Sequence, residues 1–208
     1  MLLHCIRHGE STFNAEGRVQ GHLNVPLSEL GLRQATAVAD ACKELNAEAI
    51  YSSPLLRARQ TADAIAATLG LAIIEEPGLV EINVGIFQGR LRKDLDRECP
   101  EDLARWRSGD PDYVVPGGES RRALMRRGRA VLESIAGNTY GRVIVVSHGT
   151  ILAAAFKALL EIPAEKHPFL LENASLSRLE LDGARVRLHT LNEVSHLAGV
   201  GLAGGGDL

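Results

Sequence analysis

Two short motifs in this chain place a histidine directly before a glycine at the end of an apolar run. The first is Arg7-His8-Gly9-Glu10-Ser11, which follows Leu2, Leu3, Cys5 and Ile6. The second is Ser147-His148-Gly149-Thr150, which follows Val143-Ile144-Val145-Val146. An arginine fork matches the oxygens of a phosphate group, and a neutral imidazole can attack phosphorus. A glycine that opens a helix leaves N–H donors and a partial positive charge facing an anion. Either histidine alone is compatible with a packed or solvated strand end that has no role. Two such corners are a stronger signal, because neighbouring strands in one sheet would bring the imidazoles together. Asn14, six residues after His8, could reach the same place with an amide donor.

Two further segments carry candidate chemistry. In Ser53-Pro54-Leu55-Leu56-Arg57-Ala58-Arg59-Gln60-Thr61-Ala62, Arg57 falls in the first turn of a helix, where it would supply a second phosphate fork. Thr61 shares its face at i, i+4 spacing, whereas Arg59 lies roughly 200° around the helix and reads as solvated. Without that context Arg57 is equally an exposed helix charge. Glu81 sits in Leu79-Val80-Glu81-Ile82-Asn83-Val84, either as a misplaced surface residue or as a desolvated acid. Burial raises the proton affinity of a carboxyl, which suits it to hold and give a proton near neutral pH.

The elements needed to position these residues follow from periodicity. Residues 2–7, 48–52, 71–75 and 142–147 read as strands. A helix over 28–46 is opened by Ser28, a second runs from Pro54 to Leu69 and is closed by Gly70, and a third spans 149–160. Residues 175–182 and 185–191 flank Asp182-Gly183-Ala184 and predict a closing hairpin. Strands alternating with helices imply an α/β fold with a mostly parallel central sheet. The stretch 83–118, rich in Gly, Pro, Arg and Asp, breaks this rhythm and reads as an inserted helix-loop segment over one end of the sheet. The helix from Ser120 to Ile135 follows it. One domain over 1–208 accounts for the chain, with 200–208 as a loose tail.

Composition narrows the partners. The 208 residues are 45% hydrophobic and 24% charged, with a formal net charge of −3, which argues against general binding to nucleic acid or membrane surfaces. No apolar run approaches the length of a membrane span, and no signal peptide is apparent. Cys5, Cys42 and Cys99 lack C-x-x-C spacing and suit reduced thiols in the cytoplasm. Metal-ligand spacing such as H-x-H or H-E-x-x-H is absent, which weakens a metallohydrolase reading. His4, His22, His167 and His189 receive no role. Phe87, Trp106 and Tyr113 either line an apolar pocket or form a small core under the insertion. Arg121, Arg122, Arg126, Arg127 and Arg129 spread around their helix and read as a solvated face rather than a surface for an acidic partner.

Taken in order, the four segments resemble the histidine phosphatase superfamily, the phosphoglycerate mutase-like fold. Gln20-Gly21, Pro26-Leu27-Ser28-Glu29-Leu30-Gly31 and Pro116-Gly117-Gly118-Glu119 extend the resemblance over nearly the whole chain. It implies a three-layer α/β/α sandwich and a phosphohistidine intermediate, with no metal and no cofactor. By resemblance His8 is the nucleophile, while Arg7, Arg57 and His148 hold the phosphoryl oxygens, assisted by Asn14. Glu81 would protonate the leaving oxygen and then deprotonate the attacking water. Gln20, Gly21 and Gly149 are expected at the phosphate, and His196, in the Leu191–Leu197 ending, either approaches the substrate or packs. The implied activity is hydrolysis of a small phosphorylated metabolite. The short insertion favours this over a diphosphoglycerate-dependent phosphoglycerate mutase, and the full residue set disfavours a non-catalytic phosphate-binding scaffold. The resemblance leaves room for a homodimer.

Overall fold

The computed structural model describes residues 1–183 and 185–202. Its centre is a six-stranded sheet built from β1 (Leu2–Arg7), β2 (Ala49–Ser52), β3 (Ile73–Glu75), β4 (Arg142–Ser147), β5 (Leu176–Asp182) and β6 (Arg185–Glu193). The spatial order is β3-β2-β4-β1-β5-β6. The first four strands of that order run parallel, and β5 and β6 are antiparallel additions. The expected mixed α/β fold with a mostly parallel sheet is therefore present.

The helices are α1 (Thr12–Glu16), α2 (Glu29–Ala41), α3 (Leu56–Leu69), α4 (Leu95–Glu98), α5 (Pro100–Arg107), α6 (Arg121–Ala136) and α7 (Gly149–Leu159). Strict alternation along the central strands feeds both faces of the sheet. Leu3 and Cys5 of β1, with Val143 and Val145 of β4, pack on Val131 and Leu132 of α6 and on Leu152 and Phe156 of α7. Ile6, Ile144 and Val146 point the other way, onto Val38 and Ala39 of α2 and Ala58, Ala62 and Ile65 of α3. A third apolar cluster lies under the inserted segment. Phe87, Leu95, Leu103, Trp106 and Tyr113 close over Leu124 of α6 and Ile151 and Ala154 of α7. Those three contacts seat the insertion on the first turns of α6 and α7, beside the end of β4 that bears His148.

Several boundaries differ from the periodicity. The second long helix begins at Leu56 rather than Pro54, because Leu55 is extended at φ −65°, ψ 133°. The helix opened by Ser28 stops at Ala41, and a 3-10 turn over Cys42–Leu45 finishes the segment. The strand expected over 71–75 shrinks to an edge strand at Ile73–Glu75. The hairpin tip at Ala184 and the expected tail beyond residue 202 fall outside the described residues.

Gly9 is required by close packing rather than by a positive φ. It is not among the glycines with positive φ. A Cβ there would lie 2.6 Å from the Gly31 carbonyl oxygen, and a Cβ on Gly31 would lie 1.9 Å from that of Glu10. Two facing glycines thus let the start of α2 lie directly against the loop that follows β1. Ser28 caps that helix through the Gly31 N–H (3.0 Å) and also donates to Glu10 (2.6 Å), tying the same contact from its side.

Candidate active site

β1 and β4 are adjacent and parallel, with Arg7 opposite Ser147. The ladder continues one residue further, where the His8 N–H donates to the Ser147 carbonyl at 2.9 Å. Both His-Gly corners therefore emerge on one rim of the sheet, at the carboxyl ends of its strands. The two imidazole centroids lie 5.1 Å apart with their planes at 62°.

The orientation of His8 is set by its own chain. Its Nδ1 lies 2.6 Å from the Gly9 carbonyl oxygen, which can only accept. Nδ1 therefore carries the proton, and the lone pair is on Nε2. Arg57 Nε donates to that Nε2 at 3.3 Å. Burial, reinforced by the Arg57 and Arg7 guanidiniums, holds the His8 pKa well below its ordinary value, so the ring is neutral. Asn173 Nδ2 (3.0 Å) and the Ala174 N–H (3.1 Å) both donate to the His8 carbonyl and fix the backbone beneath the ring.

Arg57 is fully buried, with Nη1 donating to the Leu23 carbonyl and Nη2 to that of Gly21, each at 2.9 Å. Thr61, one turn on, accepts from the Gly9 N–H (3.1 Å) and donates to the Arg57 carbonyl (2.9 Å). The i, i+4 pair thus ties α3 to the His8 corner. Arg7 is equally buried and donates through Nη1 to the Leu171 carbonyl. His148 Nε2 lies 2.8 Å from Ser53 Oγ. Burial and the charges of Arg57 and Arg7 keep His148 neutral as well.

Asn14 is buried, and its Oδ1 accepts from the Ser11 N–H at 3.2 Å. Its Nδ2 has no hydrogen-bond partner among the described residues. Asn173 also lies within 3.4 Å of its Oδ1, linking Asn14 to the His8 corner. Glu81 is buried, as its apolar neighbours suggested. Its Oε1 accepts from the Ile82 (2.8 Å) and Ile151 (3.0 Å) N–H groups, and its Oε2 from that of Thr150 (3.1 Å). The carboxyl group thus caps α7 directly after His148.

The remaining expected residues divide. Gln20 accepts from Ser11 Oγ at 2.7 Å and, with Gly21, Glu81, Trp106 and Thr150, lines a small cavity of about 30 Å³. Gly21 also serves through its carbonyl on Arg57. Gly149 is the first residue of α7. His196 does not join the cluster: its Nε2 bonds the Ala174 carbonyl at 2.9 Å, which gives it a packing role behind the site.

The sequence did not single out four contributors. Asn173 lies in an irregular segment before β5, and Arg92, in the insertion, reaches the small cavity beside Glu81. His22 Nε2 bonds the Glu81 carbonyl at 2.7 Å. Arg127 donates to the Gly78 and Val80 carbonyls at 2.8 and 2.7 Å, and pairs with Glu119 at 2.7 Å. It therefore braces the Glu81 segment, and with Arg121 it corrects the expectation of a wholly solvated arginine face. Phe87 and Trp106 meet edge-on at 6.4 Å within the insertion's core, in keeping with the core reading of these aromatics.

Among the described residues no group of three His, Cys, Asp or Glu side chains is placed to hold a metal ion, and no helix is long and apolar enough to cross a membrane. Comparison with known proteins agrees with the geometry. Over 200 residues the chain is 40% identical to a metal-independent phosphoserine phosphatase of Arabidopsis thaliana, covering 94% of this chain and 83% of the relative. It is 38% identical over 186 residues to a protein named as a probable phosphoglycerate mutase of Yersinia pestis, covering 86% and 85%. A mycobacterial glucosyl-3-phosphoglycerate phosphatase, solved in complex with VO3, superposes with a TM-score of 0.84 at 34% identity, covering 93% of this chain and 99% of that one. The sequence profile of the histidine phosphatase superfamily (branch 1) matches residues 3–194, and the chain belongs to that family.

Proposed function

We propose that the protein hydrolyses a small phosphate monoester through a phosphohistidine on Nε2 of His8. The observation that carries this reading is the tautomer: Nδ1–H donates to the Gly9 carbonyl, which leaves an unprotonated Nε2 facing Arg57. The family membership and phosphatase-named relatives support a phosphoric monoester hydrolase.

In the first step the Nε2 lone pair attacks phosphorus in line, and the bond to the ester oxygen breaks. Glu81, which enters the cycle as the carboxylic acid, gives that oxygen its proton and becomes the carboxylate. In the second step water attacks the phosphohistidine, Glu81 takes the water proton, and phosphate departs with His8 neutral again. Arg7 and Arg57 face the equatorial oxygens, where charge builds in a loose transition state. His148 donates to the same oxygens through Nδ1 when Ser53 Oγ–H donates to its Nε2. The unpartnered Nδ2 of Asn14 supplies a further neutral donor. No step uses a metal ion. The three unbridged, buried cysteines fit a reducing compartment such as the cytoplasm.

A mutase is the second reading, favoured by the relative named as a probable phosphoglycerate mutase. One assay set separates the two. Hydrolysis of p-nitrophenyl phosphate should resist EDTA, and an acid-labile phosphate should be trapped on His8. With a phosphoglycerate as substrate, hydrolysis releases inorganic phosphate, whereas a mutase returns the isomer. Chelator-sensitive turnover, or phosphate trapped on another side chain, would sink the proposal.

A further inference from the structure

A cavity of about 260 Å³ beside the site is not used by the steps above. It touches the machinery at two places. Gly149 and Thr150, which follow His148, form part of its wall, and Thr150 is the residue whose N–H holds Glu81. Leu171, whose carbonyl accepts from Arg7, also lines it. The cavity therefore adjoins both the start of α7 beside His148 and the segment that holds Arg7.

Its walls combine apolar and cationic groups. Leu124, Met125 and Phe169 supply apolar surface, while Arg121, Lys157 and His167 supply cationic or polar donors. Lys157 is 5% exposed, and its ammonium donates to the Ala164 carbonyl at 2.8 Å. Arg121 is stacked over the Trp106 ring at 3.7 Å and donates once, to the Trp106 carbonyl at 2.9 Å. Among the described residues neither cation is in ion-pair contact with a carboxylate. An ammonium has three donors and a guanidinium five, so most of this donor capacity has no acceptor among the described residues. The groups also repel one another. Burial and the charge of Arg121 lower the Lys157 pKa against the opposing charge of Glu165, and burial with both cations lowers that of His167. Burying cations is costly without a counter-charge, and an anion entering here would supply it.

We infer that this cavity is a subsite for a second anionic group, so that the preferred substrates are phosphate monoesters whose alcohol carries a carboxylate or comparable anion on a short apolar frame. This rests on the phosphatase reading and narrows its substrate class.

Two esters that differ only at the far end test it, 3-phosphooxypropanoate and its uncharged carboxamide isostere. The wild-type protein should favour the carboxylate by about tenfold or more in kcat/KM, mainly through KM, as expected for a desolvated charge-assisted contact. Lys157→Met should bring that ratio to within about twofold of unity, and Lys157→Arg should retain it. Because the ratio is taken within each variant, a general loss of activity cancels. Arg121→Gln provides a second, independent reduction if Lys157→Met does not fold. Equal turnover of both esters by the wild type, or a preference that survives in folded Lys157→Met, overturns the subsite and leaves the phosphatase reading intact. No turnover of either ester or of p-nitrophenyl phosphate overturns the phosphatase reading itself.

Discussion

The corners at His8 and His148 share one local grammar, an apolar strand, a histidine and a glycine, yet the structure gives their rings different constraints. At His8 the ring is fixed from within its own segment, because Nδ1–H donates to the Gly9 carbonyl and Arg57 faces Nε2. At His148 the ring is fixed from another element: its Nε2 meets Ser53 Oγ at the start of the turn into α3, and its Nδ1 has no partner among the described residues. The first arrangement presents a lone pair and suits a nucleophile. The second can present an N–H and suits a group that steadies charge on phosphoryl oxygens. Identical motifs thus acquire different chemistry from the single neighbour that chooses the tautomer.

The sharpest way to break this distinction is to delete each ring in turn. His8→Ala should lower kcat by about 10⁴-fold or more, the scale for loss of a nucleophile, and abolish trapped phosphohistidine. His148→Ala should cost roughly 10²- to 10³-fold, the scale for loss of one transition-state donor, while phosphoenzyme still forms in a rapid-quench experiment. Equal losses, or phosphoenzyme in His8→Ala, would remove the asymmetry.

A smaller effect separates His8 and His148 from a third buried imidazole. His4 lies on β1, on the same face as Ile6, and neither ring nitrogen has a partner among the described residues. Burial, then the charges of Arg178 and Arg142, lower its pKa from 6.5 to about 4. The unfolded chain therefore binds more protons than the folded one between those values, and stability falls as pH drops from 6.5 towards 4. The slope contributed by His4 flattens below about 4. A shift of that size corresponds to roughly 3 kcal/mol across the window. The lowered pKa values of His8 and His148 push in the same direction. Denaturant titrations of His4→Leu at a series of pH values should show a shallower acid slope than the wild type. An unchanged slope would exclude His4 as a contributor.

These particulars show which features a linear sequence carries. The sheet and both corners were legible because strand periodicity and the adjacent glycine are local signals. Arg57 and Thr61 were legible as a helical pair, although Thr61 proved to anchor Gly9 as well as share a face with Arg57. Asn173 was not legible, since it sits in an irregular segment and acts only once folding brings it under His8, 165 positions away. For His196 the resemblance of the Leu191–Leu197 ending left approach to the substrate and packing both open, and the left-handed Ala174 presents a carbonyl that its ring holds. The Arg121–Arg129 run looked solvated because sequence spacing shows no partners. Arg121 and Arg127 fold back onto Trp106 and the Glu81 segment, which belong to another part of the chain.

Ser53→Ala should produce the smallest change and the most specific one. The Ser53 hydroxyl accepts from the Leu55 N–H at 3.3 Å, which leaves its proton available for His148 Nε2 at 2.8 Å. Removing the hydroxyl removes the choice of tautomer at His148 while leaving its ring in place. Half or more of the molecules would then carry the proton on Nε2 and meet a phosphoryl oxygen with a lone pair instead of a donor. The expected loss is about tenfold in kcat, close to 1.4 kcal/mol and well short of deleting the imidazole. The yield of phosphohistidine at His8 should be retained, because the Gly9 carbonyl that orients that ring is untouched. If Ser53→Ala instead matches His148→Ala, then Ser53 positions the whole ring, and the difference between the two corners lies in side-chain placement rather than in tautomer choice.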